Sequence, residues 1–372
     1  MRWPPPVGWG ILGGRAKLRP GLVVFVMANW FRIALGFGVA LIGAWVAAWL
    51  SMPLPWMLGA LILTAATKMA GSPAACMPLA RNAGQWVIGA SLGLYFTPAM
   101  VHLIGSNAVF IVMGMVFALI LCCMGAFMLT RFAGTDLRTA WFASAVGGAS
   151  EMTGLAERYG ARPDLVASAH GLRVLMVVVI IPFAFEALGF SGEQAGAVVR
   201  PDFLNLPGLA LLVLLSSAAG FIFQVLRLPN PWVLGPLLVV AILTYKDIVL
   251  SGLPVEISNL GQLCIGWALG DKFGPDFFRR APRYLGVAAV SNIINLALAF
   301  GFAYGLYRLS DIAYPTLVLG VSPGGIAEMA ITAKVLQLGA PMVTSFQVAR
   351  MVCVLVLTGP LYTRIARLLE GR

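Results

Sequence analysis

The chain has 372 residues, of which 60% are hydrophobic and only 10% charged, and its Lys and Arg outnumber Asp and Glu by 25 to 14 for a net charge of +11. That balance excludes an ordinary water-soluble domain. It also calls for no nucleic-acid partner, because a polytopic helical membrane protein that keeps its cations on the cytoplasmic side carries such an excess by itself.

Residues 1–30 form a basic tail without the compact apolar core and small-residue cleavage site of a signal peptide, so it is expected to remain cytoplasmic. Apolar segments follow at about Phe31 to Leu50, Trp56 to Met69, Ala83 to Ile104, Ser106 to Phe132, a Gly-interrupted stretch Leu137 to Tyr159, and Leu165 to Leu188. Within them Ala108 to Leu129 carries no charge, and a helix of that length rises roughly 33 Å, enough to cross about 30 Å of hydrocarbon. These segments make a first membrane unit over residues 31–188. Residues 189–205, with charges, Gly192 and Pro201, read as a linker. A second unit, residues 206–372, has segments at about Leu206 to Leu226, Trp232 to Tyr245, Ile257 to Leu269, Tyr284 to Tyr307, Ile312 to Leu338 and Val343 to Ile365. Cys76, Cys122, Cys123, Cys264 and Cys353 contain no CxxC pair and read as packing residues.

The two units say the same thing. Gly147, Gly148, Glu151, Met152, Ser168 and Arg173 recur 177 residues later as Gly324, Gly325, Glu328, Met329, Ser345 and Arg350. Gly84-Gln85, Gly89 and Gly93 recur as Gly261-Gln262, Gly266 and Gly270, and Pro55-Trp56-Met57-Leu58-Gly59 as Pro231-Trp232-Val233-Leu234-Gly235. A tandem duplication makes the repeated polar residues the candidate working parts.

The Gly-rich stretch decides the relation of the halves. If Leu137 to Tyr159 crosses the membrane, each half has six crossings and the repeats are parallel; if it dips in and returns, each has five and the second is inverted. Inversion puts eighteen cations, among them Lys68, Arg81, Arg131, Arg158, Lys272 and Arg283, on the cytoplasmic side, and leaves only Arg200, Lys246, Arg308 and Lys334 outside. That is the asymmetry the positive-inside rule demands, so the expected architecture is all-α, two inverted repeats of about five transmembrane helices, each with a re-entrant or broken helix. Inverted repeats with interrupted helices are a signature of secondary transporters, whose freed backbone groups at mid-depth hold substrate or ion.

The breakers are Ser144 to Glu151, with Gly147, Gly148 and Ser150, and Gly320 to Glu328, with Pro323, Gly324 and Gly325. Paired glycines allow a tight turn and close backbone approach, and Pro323 removes a donor. The bland reading is a kink that merely lets helices pack. Glu151 and Glu328 follow within a turn, where a charge costs roughly 2.5 to 3.5 kcal/mol. Arg173 and Arg350, 22 residues downstream, are the obvious partners, so these residues are either structural ion pairs or parts of a substrate and ion site. Ser168 and Ser345 fall roughly 140° around the helix from those arginines, whereas His170 and Gln347 fall about 60° away, on nearly the same face. His170 is either a packed core histidine or a proton relay. Gln85 and Gln262 read as buried hydrogen bonders, and the Pro-Trp-x-Leu-Gly motif as a tight inter-helix turn with an interfacial Trp.

The segments VGGASEMTGLAERYG and SPGGIAEMAITAKVLQLGAP, with HGLRVLMVVVIIPF and VARMVCVLVLTGPLY, resemble the AbrB-type duplicated bacterial membrane proteins, a family also labelled ammonia monooxygenase or regulator of gene expression. The resemblance covers nearly the whole chain after about Trp30. It implies a multi-pass protein of the bacterial inner membrane with a cytoplasmic N-terminus. The residues themselves argue against an oxygenase, since His102 and His170 are the only histidines and form no pair at helical spacing. No soluble DNA-binding module is visible either. The expectation is therefore a secondary transporter of a small metabolite or organic anion coupled to H+ or Na+, with no enzymatic activity, cofactor or metal. Its expected partners are the lipid bilayer, its substrate and coupling ion, and in a homo-oligomeric form further copies of itself. A membrane sensor that affects gene expression indirectly is the alternative.

Overall fold

A computed structural model describes residues 20–190, 204–277, 279 and 281–370, so the first 19 residues of the tail and residues 191–203 of the linker lie outside the described residues. Fifteen helices are described: α1 (Pro20–Trp49), α2 (Pro55–Met69), α3 (Pro78–Gly93), α4 (Pro98–Ser106), α5 (Ala108–Ala133), α6 (Leu137–Ser144), α7 (Ala149–Arg158), α8 (Pro163–Ala187), α9 (Leu206–Val225), α10 (Pro231–Tyr245), α11 (Val255–Gly270), α12 (Pro282–Tyr307), α13 (Tyr314–Val321), α14 (Ile326–Val335) and α15 (Ala340–Glu370). Shifting α3, α6 and α7 by 177 residues reproduces both ends of α11, α13 and α14.

Local chemistry sets these starts and stops. Pro55 and Pro231 open α2 and α10 at positions where their missing N–H costs nothing, each after a residue held in the left-handed region, Leu54 at φ 47° and Asn230 at φ 45°. Asp136 caps α6 by accepting from Thr139 N at 2.9 Å, and Gly134, at φ 68°, ends α5. The expected single segment from Ala83 to Ile104 is instead broken: α3 and α4 meet at 90°. Thr97 caps a new helix and Pro98 cannot continue the old one.

Six helices among the described residues are long and apolar enough to cross a membrane: α5, α8, α9, α12, and the described apolar parts of α1 and α15. The bent pair α3–α4 would make seven. The 15- and 16-residue helices α2, α3, α10 and α11 reach only about 24 Å and pack on one another.

Small residues let that packing close. α3 and α11 cross where a Cβ on Gly84 would lie 2.7 Å from Gly261 O. Further along, each helix packs on the short helix of the other half. A Cβ on Gly93 would meet Val240 of α10, and one on Gly270 would lie 2.7 Å from Thr64 Cβ of α2. The repeated glycine ladder thus holds the two halves together by close backbone approach. Gln262 is buried on the crossing and Gln85 half-buried. Gly59 and Gly235 of the Pro-Trp motif pack α2 on Gly43 of α1 and α10 on Gly220 of α9.

Candidate functional site

Each Gly-rich stretch is a helical hairpin whose ends meet. α6 and α7 enclose Ala145 to Gly148, and the chain returns so that Arg162 N donates to Thr139 Oγ1 at 3.0 Å and the Tyr159 ring lies 5.2 Å from Phe142. In the second copy α13 and α14 enclose Ser322 to Gly325, and Thr316 Oγ1 donates to Leu338 O at 3.3 Å.

A broken helix exposes carbonyls at the end of its first half and N–H groups at the start of its second. The repeated residues answer both needs. Arg173 donates from Nη1 to Ala145 O (2.7 Å) and from Nη2 to Gly147 O (2.9 Å). Arg350 makes the same bonds to Ser322 O (2.5 Å) and Gly324 O (2.7 Å). One turn earlier, His170 Nε2 lies 2.9 Å from Phe142 O, and Gln347 Nε2 donates to Leu319 O at 2.7 Å, with longer bonds to Gly320 O and Ser322 O at 3.2 Å. The pairing of 170 with 173 and 347 with 350 on one helix face is the one that helical spacing predicts.

The glutamates serve the other end. Glu151 and Glu328 stand in the first turn of α7 and α14, where the helix dipole favours an anion. Each carboxylate folds back onto its N-cap glycine, so that a Cβ on Gly148 or Gly325 would collide with it. The preceding glycines take the methionines in the same way: a Cβ on Gly147 would lie 2.9 Å from Met152 Cε, and one on Gly324 2.6 Å from Met329 Cγ. With Gly148 at φ −68° and Gly325 at φ −85°, ordinary backbone, the glycines are required for this approach of side chains rather than for an unusual turn.

Of the two readings of these residues, the Glu–Arg ion pair is not the one found. The ion pairs among the described residues are Lys68–Asp271 and Arg162–Asp164, and neither Glu151 nor Glu328 pairs with an arginine. Orphaned carbonyls solvate the guanidiniums, and the helix N-termini favour the nearby carboxylates. The two arginines still lie within electrostatic reach of one another, and both keep a buried Nε without a partner. Ser168 and Ser345 bond the carbonyls of their own helix, Asp164 O and Pro341 O, at 2.8 and 2.9 Å. Pro323 is buried at the second break.

The surroundings of the hairpins differ. A cavity of 790 Å³ lies beside the first, walled by Ser150 and Thr153 of α7, Ser168, His170 and Val174 of α8, Lys68 and Arg81 at the ends of α2 and α3, and Asp271, Lys272 and Asp276 after α11. His170 is itself fully buried behind that wall. A carbonyl only accepts, so Nε2 carries the proton toward Phe142, and Nδ1 is left as a buried acceptor without a partner. Gln347 has no such spare group, because its Oε1 accepts from Arg350 Nη2 at 2.6 Å. On α14, Ile326, Ala327 and Met329 to Ala333 are buried, whereas on α7 only Met152 and Ala156 are. Lys334 ties α14 to the scaffold, donating to Ser91 Oγ of α3 and, at 3.0 Å, to Ser258 Oγ of α11.

Sequence reasoning passed over Lys334, Arg81 and Lys272 as flanking cations. Lys272 is open to the cavity, yet the protein packed round it pulls its pKa down to about 8; Arg81 adds to this and Glu328 opposes it. Contact with cavity water limits that shift. Only the pairing of the two copies, position by position, would have singled out Lys334 and Arg81.

Residues 56–366 match the family described as "Transition state regulatory protein AbrB". The chain is 27% identical over 353 residues to "Uncharacterized protein YhjN" of Bacillus subtilis (strain 168), covering 88% of this chain and 91% of that protein. It is 28% identical over 319 residues to "Putative regulator AbrB" of Escherichia coli (strain K12), covering 84% and 90%. This helical, multi-pass chain belongs to the AbrB family.

Proposed function

We propose that the protein is a secondary transporter of the bacterial inner membrane with a cytoplasmic N-terminus, built from two inverted repeats and moving a small organic anion with H+ or Na+. The observation that carries this reading is that two hairpins of the same sequence and the same internal bonds occupy unlike surroundings, one beside a 790 Å³ cavity and one packed shut. Such an inequality between repeats is what a one-side-open state of an alternating-access machine requires.

Inversion is supported by bonds between helix ends. Lys68 pairs with Asp271 at 3.1 Å, and Arg283 Nε donates to Phe132 O at 3.0 Å. Inverted repeats put the members of each pair on the cytoplasmic side; parallel repeats put them on opposite sides. The return of each hairpin to its own start supports re-entry, which with α2, α3, α10 and α11 counted as crossings makes ten. Arg81 and Lys272, cations without an ion pair among the described residues, favour an anionic substrate. His170 Nδ1 offers an acceptor to a donor on the substrate or to a transferred proton.

Purified protein in lipid vesicles tests this. Uptake of a labelled carboxylate chosen from a thermal-stabilisation panel is expected, and Glu328→Gln is expected to reduce it at least tenfold while the protein stays folded. The name of the Escherichia coli relative favours one second reading, a membrane sensor. In that case a ligand of the panel stabilises the protein but is not taken up.

A further inference from the structure

The second hairpin is held by Lys334, whose ammonium reaches Ser258 on α11 and Ser91 on α3. Moving each of these positions into the other copy gives Glu157 for Lys334, Arg81 for Ser258 and Ala268 for Ser91. The contact that fastens α14 on one side thus corresponds, on the other, to a carboxylate facing a guanidinium.

In the present state that pair is apart. Glu157 is exposed on the last turn of α7 and Arg81 stands half-buried on the cavity wall; neither has an ion pair among the described residues. α7 is the less buried of the two equivalent helices, so it has room to move, and the cavity lies between it and the start of α3. The longer reach of Arg compensates for the shorter reach of Glu relative to the Lys–Ser pair, so the equivalent packing places the two charges within bonding distance.

We propose that Glu157 and Arg81 form the cytoplasmic latch of the protein: when α7 packs onto α3 and α11 as α14 does now, the 790 Å³ cavity closes and the two residues pair, while the Lys334 contacts open. The proposal rests on the transporter reading for its purpose and on the inverted duplication for its geometry. The latch is ionic on one side and built from an ammonium and two hydroxyls on the other, so the two closed states are not equally stable and respond differently to salt.

The test is made on full-length protein in native membranes, with the five cysteines replaced, and needs no substrate. Glu157→Cys with Arg81→Cys is expected to cross-link under copper-phenanthroline. The cross-linked protein should then label at Ser150→Cys with a membrane-impermeant maleimide from the cytoplasmic side at least ten times more slowly. Without the cross-link, Glu157→Gln or Arg81→Gln should speed that labelling about two- to fivefold, as expected for loss of a partly exposed ion pair, and the double change should add nothing further. Absence of the cross-link, or additive effects of the two neutral substitutions, overturns the latch. Because the readout is labelling, a protein that latches but takes up no solute refutes transport alone, and a transporter that never cross-links refutes the latch alone.

Discussion

The two hairpins carry the same four repeated residues and meet the same arginine of the helix that follows, yet α6–α7 borders a large cavity while α13–α14 is packed in the core. Their internal chemistry is the same. Arginine spans the carbonyls of the first half-helix, and glutamate sits on the N-terminus of the second. The comparison separates two kinds of constraint. What holds in both surroundings is duplicated in sequence: the clamp, the glycines and the methionines. What differs between the surroundings goes with positions where the copies diverge, such as Glu157 against Lys334 and His170 against Gln347.

The largest way to break the comparison is to remove a clamp. Arg350→Ala strands the Gly324 carbonyl and the Gln347 oxygen and takes from Ser322 O one of its three donors, and should cost on the order of 3–5 kcal/mol in detergent unfolding. Arg350→Lys should recover little, since a point donor does not span both carbonyls. Arg173→Ala should cost less, because Arg173 bonds two carbonyls and no side chain, whereas Arg350 also holds Gln347 Oε1.

Next come the glycines. Gly325→Ala forces the Glu328 carboxylate off its cap and should destabilise by about 1–3 kcal/mol. In a Glu328→Ala background the same change should cost less than half as much, a coupling that a double-mutant cycle reads directly. The Gly148 and Glu151 pair should behave alike; glycines kept only for their backbone conformation predict no coupling in either copy.

A smaller effect concerns divergence. His170→Gln gives the first hairpin the residue of the second, and should change stability by less than about 1 kcal/mol, since the amide can keep the bond to Phe142 O. If His170 relays the proton, uptake should lose its dependence on a proton gradient all the same. The smallest is the response to Lys272. A lysine is charged below its pKa, so with the value lowered to about 8 its charge, and with it the affinity for an anion, should fall as pH rises through 8. Lys272→Gln should flatten that step in a binding titration.

Much of this was legible in the sequence. The breaks at Gly147-Gly148 and Gly324-Gly325, the offset of 177, and the shared face of residues 170 and 173 follow from residue types and helical spacing. The partners of the arginines did not follow, because a backbone carbonyl has no letter: two carboxylates at the right distance in sequence look like partners, and a set of orphaned C=O groups does not. The α3–α4 bend hid inside a continuous apolar run, although Thr97-Pro98 is a helix restart in plain sight. The cavity was illegible for a deeper reason. On the proposed reading one motif serves both the open and the closed hairpin, and which copy is open belongs to the conformation rather than to the letters.

That last point is the central claim, and labelling from each side of the membrane tests it most directly. Ser150 is exposed on α7, and its equivalent Ala327, 4% exposed, is buried on α14. In a cysteine-free background, Ser150→Cys should react with an impermeant maleimide only from the cytoplasm, and Ala327→Cys only from outside. Cross-linking that holds one closed should speed labelling of the other. Reaction of both from the same side, or reaction of both at once in a cross-linked protein, would contradict inverted repeats that open in turn.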